Sequence, residues 1–168
     1  MRKTFSCCFI IAFAAACTAP SPEARSSPSA AISPADSAAR DSAAHKAHEN
    51  YVRLINSNNV DSLMSIMTDD VVFLAADAKP IIGKAAVRAW ADDYEKAFRT
   101  HWDKPVQEFT VSGDYAIERY NYTSTDKPVG GGKDVVDTGW GLVIYHRDAD
   151  GVWRVARDAF GPDHPPAK

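Results

Sequence analysis

Residues 50–73, NYVRLINSNNVDSLMSIMTDDVVF, carry the reading that decides the fold. Tyr51, Leu54 and Ile55 fall at helical spacing, so one apolar stripe runs along a helix that begins near Ser42 among the helix formers of 41–57, DSAAHKAHENYVRLINS. Asn58 and Asn59 break that helix. Asp61 is the expected N-cap of a short second helix, SLMSIM, with Leu63, Met64 and Met67 on one face. VVFLA, 71–75, follows as a β-branched, apolar strand. Tyr51 admits two readings: a phenol aimed into a cavity, or an aromatic that fills a core.

Downstream, Gly83 marks a turn, and from Lys84 to about Arg99 the positions Val87, Trp90, Ala91, Tyr94 and Phe98 follow the amphipathic-helix template. Strand-forming runs come next at about 106–112, 114–124 and 135–147, and VWRVARDAF follows the turn DADG. The loop DKPVGGGKD is glycine-rich, but no helix and no GK[ST] follow it, so it reads as a connection rather than a phosphate cradle. Three helices followed by a meander of strands predict an α+β fold with the helices on one face of a curved antiparallel sheet.

Upstream the chain changes character. Arg2 and Lys3 precede CCFIIAFAAAC, an apolar run too short to span a bilayer, so 1–16 reads as a signal peptide for export. Residues 18–40 are rich in Ala, Ser and Pro, the composition of a flexible tether. The expected organisation is therefore a signal peptide (1–16), Cys17 with a tether (17–41), a folded domain (42–161) and a disordered tail (162–168). Cys7 and Cys8 leave with the signal and Cys17 sits at the cleavage point, which removes thiol and disulfide chemistry from the domain. A coil of the tether's length gives a typical reach of about 25 Å. The net charge of −3 comes without a basic stripe, which argues against nucleic acid as a partner. His45 and His48 lack a third ligand and the other histidines are scattered, so neither a metal nor a cofactor is expected.

Two resemblances extend this reading. Ala14-Ala15-Ala16-Cys17 resembles a bacterial lipobox, which implies lipidation at Cys17 and a lipid-anchored, cell-envelope location in the outer membrane or periplasm; ordinary cleavage after Ala-x-Ala, giving a soluble periplasmic protein, is the alternative. Over about 45–161, the order Y...LINSNNVDSLMSIMTDDVVFL, G with AAVRAW, GDYAIERYNYT and DGVWRVARDAF resembles the nuclear transport factor 2-like superfamily, in its SnoaL-like and ketosteroid-isomerase-like branch. The resemblance implies a cone of three helices and a curved sheet around an apolar pocket, commonly as a homodimer. In ketosteroid isomerases a tyrosine matching Tyr51 donates to the developing enolate. The matching general base would be Ala75 and the matching protonated aspartate Gly141, so steroid isomerase chemistry is not expected.

Asp158 is the candidate replacement. If the DADG turn sets Arg147 opposite Val152, then Gly141 faces Asp158, and Trp140, Leu142, Ile144, Trp153 and Val155 form an apolar patch on the other face, suited to a homodimer or to another envelope protein. By the family likeness Asp158 and Phe160 lie on the concave side, with Trp90 and Tyr145 toward the pocket and Arg119 as partner of the Asp158 carboxylate. A slip in the second strand would instead turn Glu118, Tyr120 and Tyr122 inward. Two functions follow: a tethered module that binds a small apolar molecule, or a cyclase, dehydratase or isomerase with Asp158 as acid or base and Tyr51 as hydrogen-bond donor.

Overall fold

The computed structural model describes residues 33–76 and 78–164. The expected signal segment, the lipidation site at Cys17 and most of the expected tether lie outside them.

The first helix, α1 (Pro34–Asn56), begins well before Ser42, so the residues from Pro34 to Asp41 belong to the helix and not to a tether. Its start is chemically specified: Ser33 accepts a hydrogen bond from the Asp36 amide and donates to the Asp36 carboxylate, with proline in the first turn. The short helix α2 (Val60–Met64) is capped by Asn59, whose side chain accepts from the Ser62 amide, rather than by Asp61. Asp61 instead holds Arg88 of α3 (Lys84–Ala97) at 2.7 Å. Met67 leaves the expected short helix to open the first strand.

Among the described residues seven strands form one sheet: β1 (Met67–Ala75), β2 (Ile81–Ile82), β3 (Phe98–Asp103), β4 (Val106–Ser112), β5 (Tyr115–Pro128), β6 (Val135–Arg147) and β7 (Trp153–Pro162). The order is β2-β1-β7-β6-β5-β3, with β4 on β5 as well. All pairs are antiparallel except β1 with β7. The short strand β2 and the strand β3 were not separated from their surroundings by sequence pattern. β3 and β4 share one edge of β5, β3 on its second half and β4 on its first. Lys104 and Pro105 form the break between them.

Strand alternation is strict on the first part of β5, where Ala116, Glu118, Tyr120, Tyr122 and Ser124 are buried and the residues between them exposed. Its partner β6 buries Gly139, Gly141, Val143 and Tyr145. The helices cover this face. Tyr51, Met64, Val71, Val87, Tyr120, Val143 and Val155 are among the members of one continuous apolar core.

The β6–β7 register differs from the sequence expectation. Arg147 pairs with Trp153, not Val152, and Tyr145 pairs with Val155. A bulge at Ala156 then shifts the ladder, because Ile144 pairs with Arg157 and Val143 with Asp158. Trp153 and Val155 are therefore buried inside, contrary to their expected place on the outer face, whereas Trp140 and Leu142 are exposed. The extra residue also restores the expected inward face of Asp158 despite the one-residue slip at the turn. At its end β7 is pinned to β6: the Asp163 amide donates to the Thr138 carbonyl at 3.1 Å, and His164 Nε2 lies 2.7 Å from Asp137. The first residues of the expected tail thus belong to the sheet edge.

Candidate functional site

A cavity of about 110 Å³ lies between the helices and the concave face of the sheet. Its walls come from every layer: Tyr51 and Ile55 on α1, Leu63 on α2, Phe73 on β1, Trp90 and Tyr94 on α3, Trp102 on β3 and Phe160 on β7. The aromatic walls interlock edge to face. Phe73 meets Trp90 at 5.8 Å and Phe160 at 6.4 Å between ring centroids, and Trp102 meets Phe160 at 5.8 Å. One end is buried and polar, made by Tyr51, Lys104 and Asp158. The other carries the half-exposed Tyr94, Glu95 and Thr100.

The polar end is built around Asp158, which is 3% exposed. Tyr51 donates to its Oδ2 at 2.6 Å and Tyr120 to its Oδ1 at 2.9 Å. Lys104, 4% exposed, lays its ammonium against the faces of the same two phenols, 4.4 Å from the Tyr51 centroid and 3.7 Å from that of Tyr120. Burial pushes the Asp158 carboxyl above its ordinary value; Lys104, Tyr51 and Tyr120 oppose this without cancelling it. Burial likewise lowers the Lys104 ammonium, against the attraction of Asp158 and Glu118. Tyr51 and Tyr120 are pushed up, first by burial and then by the adjacent carboxylate, so both stay protonated donors.

Behind this cluster lies a second buried carboxylate, Glu118, with no exposed surface. Tyr145 donates to its Oε2 at 2.7 Å, and His48 Nδ1 lies 3.0 Å from the same oxygen. Burial raises the Glu118 carboxyl, but His48, Lys104 and Tyr145 outweigh it and hold the group below its ordinary value. It is therefore the ionised partner in the core, while Asp158 is the one drawn toward neutrality.

The expected site residues divide clearly. Tyr51, Asp158, Trp90 and Phe160 meet at the cavity. Tyr145 does not line it; the side chain lies in the core beneath, edge to face with Tyr51 and bonded to Glu118. Arg119 is a correction: its side chain points outward, about half exposed, and pairs with Glu108. The reason is strand parity. Tyr120 pairs with Gly141 and faces inward, so Arg119, its neighbour, must face solvent. Lys104 holds the place expected for Arg119, although it does not form an ion pair with Asp158.

Tyr120 reaches Asp158 because Gly141 has no side chain. A Cβ at 141 would lie 2.3 Å from the Tyr120 ring and hydroxyl. Gly139 makes the same room for Tyr122, whose ring atoms lie 2.6 Å from where its Cβ would stand. Sequence reasoning passed over Trp102 on β3 and Lys104 in the break before β4, whereas Glu118, Tyr120 and Tyr122 are the inward set of the alternative register of the second strand. Among the described residues no three His, Cys, Asp or Glu side chains are grouped to hold a metal ion.

Comparison with known proteins agrees with this architecture. The profile of the SnoaL-like domain matches residues 48–156. A conserved protein from Planctomyces limnophilus superposes with a TM-score of 0.68 at 25% identity, covering 74% of this chain and 96% of its own. A ketosteroid isomerase-like protein from Erwinia carotovora gives 0.68 at 18% identity, covering 75% and 98%. A protein from Novosphingobium aromaticivorans assigned as a candidate scytalone dehydratase gives 0.68 at 14%, covering 76% and 87%. No curated protein sequence matches. The chain belongs to the SnoaL-like domain family.

Proposed function

We propose that the domain binds one small, planar, apolar molecule in its aromatic cavity, and that Cys17 anchors it at the cell envelope. The carrying observation is the pairing of four aromatic walls, Phe73, Trp90, Trp102 and Phe160, with a single buried polar end. Such a lining recognises shape and one oriented polar atom. The saturation of Asp158 by two phenols supports a binding role, because neither oxygen is left without a hydrogen-bond donor. The anchor rests on the sequence of the first residues alone.

A second reading has a specific observation in its favour. Asp158 borders the cavity and burial holds its carboxyl above the ordinary range, as an acid working near neutrality requires. Similarity to proteins named dehydratase and ketosteroid isomerase-like is compatible with that chemistry. In it, Asp158 transfers the proton and Tyr51 holds the reacting oxygen.

The test of the binding reading is extraction of the chain purified from its own cells, followed by mass spectrometry, beside Ala91→Trp, which fills the cavity from α3. One apolar species on the wild type and none on the variant is expected. The same species on both, or none on either, counts against it. Parallel labelling with a radioactive fatty acid, lost in Cys17→Ser, tests the anchor.

A further inference from the structure

Lys104 is a feature of the site that internal hydrogen bonding does not account for. The residue is almost fully buried and borders the cavity, and its ammonium touches the faces of two phenol rings. Among the described residues, nothing accepts a hydrogen bond from it and it forms no ion pair. An ammonium carries three N–H donors, and ring faces satisfy charge but not directed hydrogen bonds. Burying donors without acceptors is costly, so a lysine placed here is suited to an acceptor that arrives with a ligand.

We infer that Lys104 is the ligand-recognition residue of this cavity, and that the ligand is a neutral aromatic molecule carrying a carbonyl oxygen, which accepts a hydrogen bond from Nζ. This deepens the binding reading proposed above and rests on it. Local charge selects carbonyl over carboxylate. Glu118 is ionised behind Lys104 and Asp158 lies beside it, so the cluster has no surplus positive charge. An anionic ligand would add a further negative charge to a buried site that already holds two carboxyl groups. A neutral carbonyl satisfies the donors without that cost. The walls select the body: Trp90, Phe73 and Phe160 offer ring faces and edges to a flat partner.

The inference is tested with three probes of similar size on the full chain: acetophenone, its hydrocarbon isostere α-methylstyrene, and benzoate. Binding is followed by tryptophan fluorescence, since Trp90 and Trp102 line the cavity. Acetophenone is expected to bind at least about tenfold tighter than α-methylstyrene, the value of a hydrogen bond to a charged donor. Lys104→Met is expected to abolish that advantage while still binding α-methylstyrene. In the wild type, the infrared carbonyl stretch of bound, carbon-13-labelled acetophenone should move to lower wavenumber, and this readout stands even if the variant fails to fold. Equal affinity for acetophenone and α-methylstyrene overturns the role of Lys104 and leaves the cavity reading intact. Tighter binding of benzoate overturns the choice of a neutral ligand. Binding of none of the three overturns the cavity reading itself.

Discussion

Tyr120 lies directly over Gly141, its register partner across β5 and β6, and this contact carries the phenol to Asp158. An aspartate expected at 141 from the ketosteroid isomerase likeness could not coexist with that ring. The phenol occupies its space, and the carboxylate comes from the neighbouring strand instead.

Replacing Gly141 by alanine should therefore cost about 1–3 kcal/mol or more, since the Cβ would also meet the Ala159 carbonyl at 2.7 Å. Urea unfolding should show a smaller cost when the same change is made in Tyr120→Val, where the ring is gone. Additive costs would show that Tyr120 and Gly141 do not share the space.

Tyr51→Phe and Tyr120→Phe each remove a donor to a buried carboxylate, and each should lose about 1–3 kcal/mol of stability. Both should move the Asp158 carboxyl further up, because the lost hydrogen bonds favour the charged form. Carbon-detected NMR titration of Asp158 checks the direction. A downward move in either variant would mean that the phenol does not donate to the carboxylate.

The pH dependence of stability has a definite sign. Burial leaves Asp158 with a higher pKa when folded than when unfolded, so the folded chain holds its proton more tightly. Its contribution to stability is most favourable below the unfolded value of about 4, falls as pH rises through the folded value, and is flat above it. Glu118, held low in the fold, works the other way: it stabilises above the unfolded carboxylate range, and that stability is lost as pH falls through its folded value. The stability of the wild type minus that of Asp158→Asn, from denaturation midpoints across pH, should become less favourable as pH rises above about 4. A difference that grows in favour of the wild type would contradict the raised carboxyl.

Trp140, 60% exposed, and Leu142, 39% exposed, lie on the outer face of β6, opposite Asn121 and Arg119 of β5. A second copy of the chain covering this face is the proposed partner. Sedimentation should show a dimer that Trp140→Lys converts to a monomer with unchanged helix content. A wild-type monomer at the same concentration would rule the arrangement out.

The elements around Tyr51 were readable because helical stripes, Asn-rich breaks and β-branched runs are local signals. Asp158 was readable by residue type, but its surroundings were not. The inward turn of Tyr120 in place of Arg119 depends on one residue of strand parity, and the burial of Trp153 together with Asp158 depends on the bulge at Ala156, which leaves no mark in composition. Lys104 reads as a surface lysine before a proline. Only the gap between β3 and β4, which exists through their shared pairing with β5, brings it into the core.

The central claim, a cavity that takes a small aromatic molecule, is tested most directly by the four tryptophan indole resonances of the full, nitrogen-15-labelled chain during titration with α-methylstyrene. Trp90 and Trp102 line the cavity, Trp140 lies on the outer face and Trp153 is buried elsewhere in the core. Saturable shifts at Trp90 and Trp102, with Trp140 and Trp153 unmoved, are the predicted result. No saturable shift, or shifts led by Trp140, would contradict it.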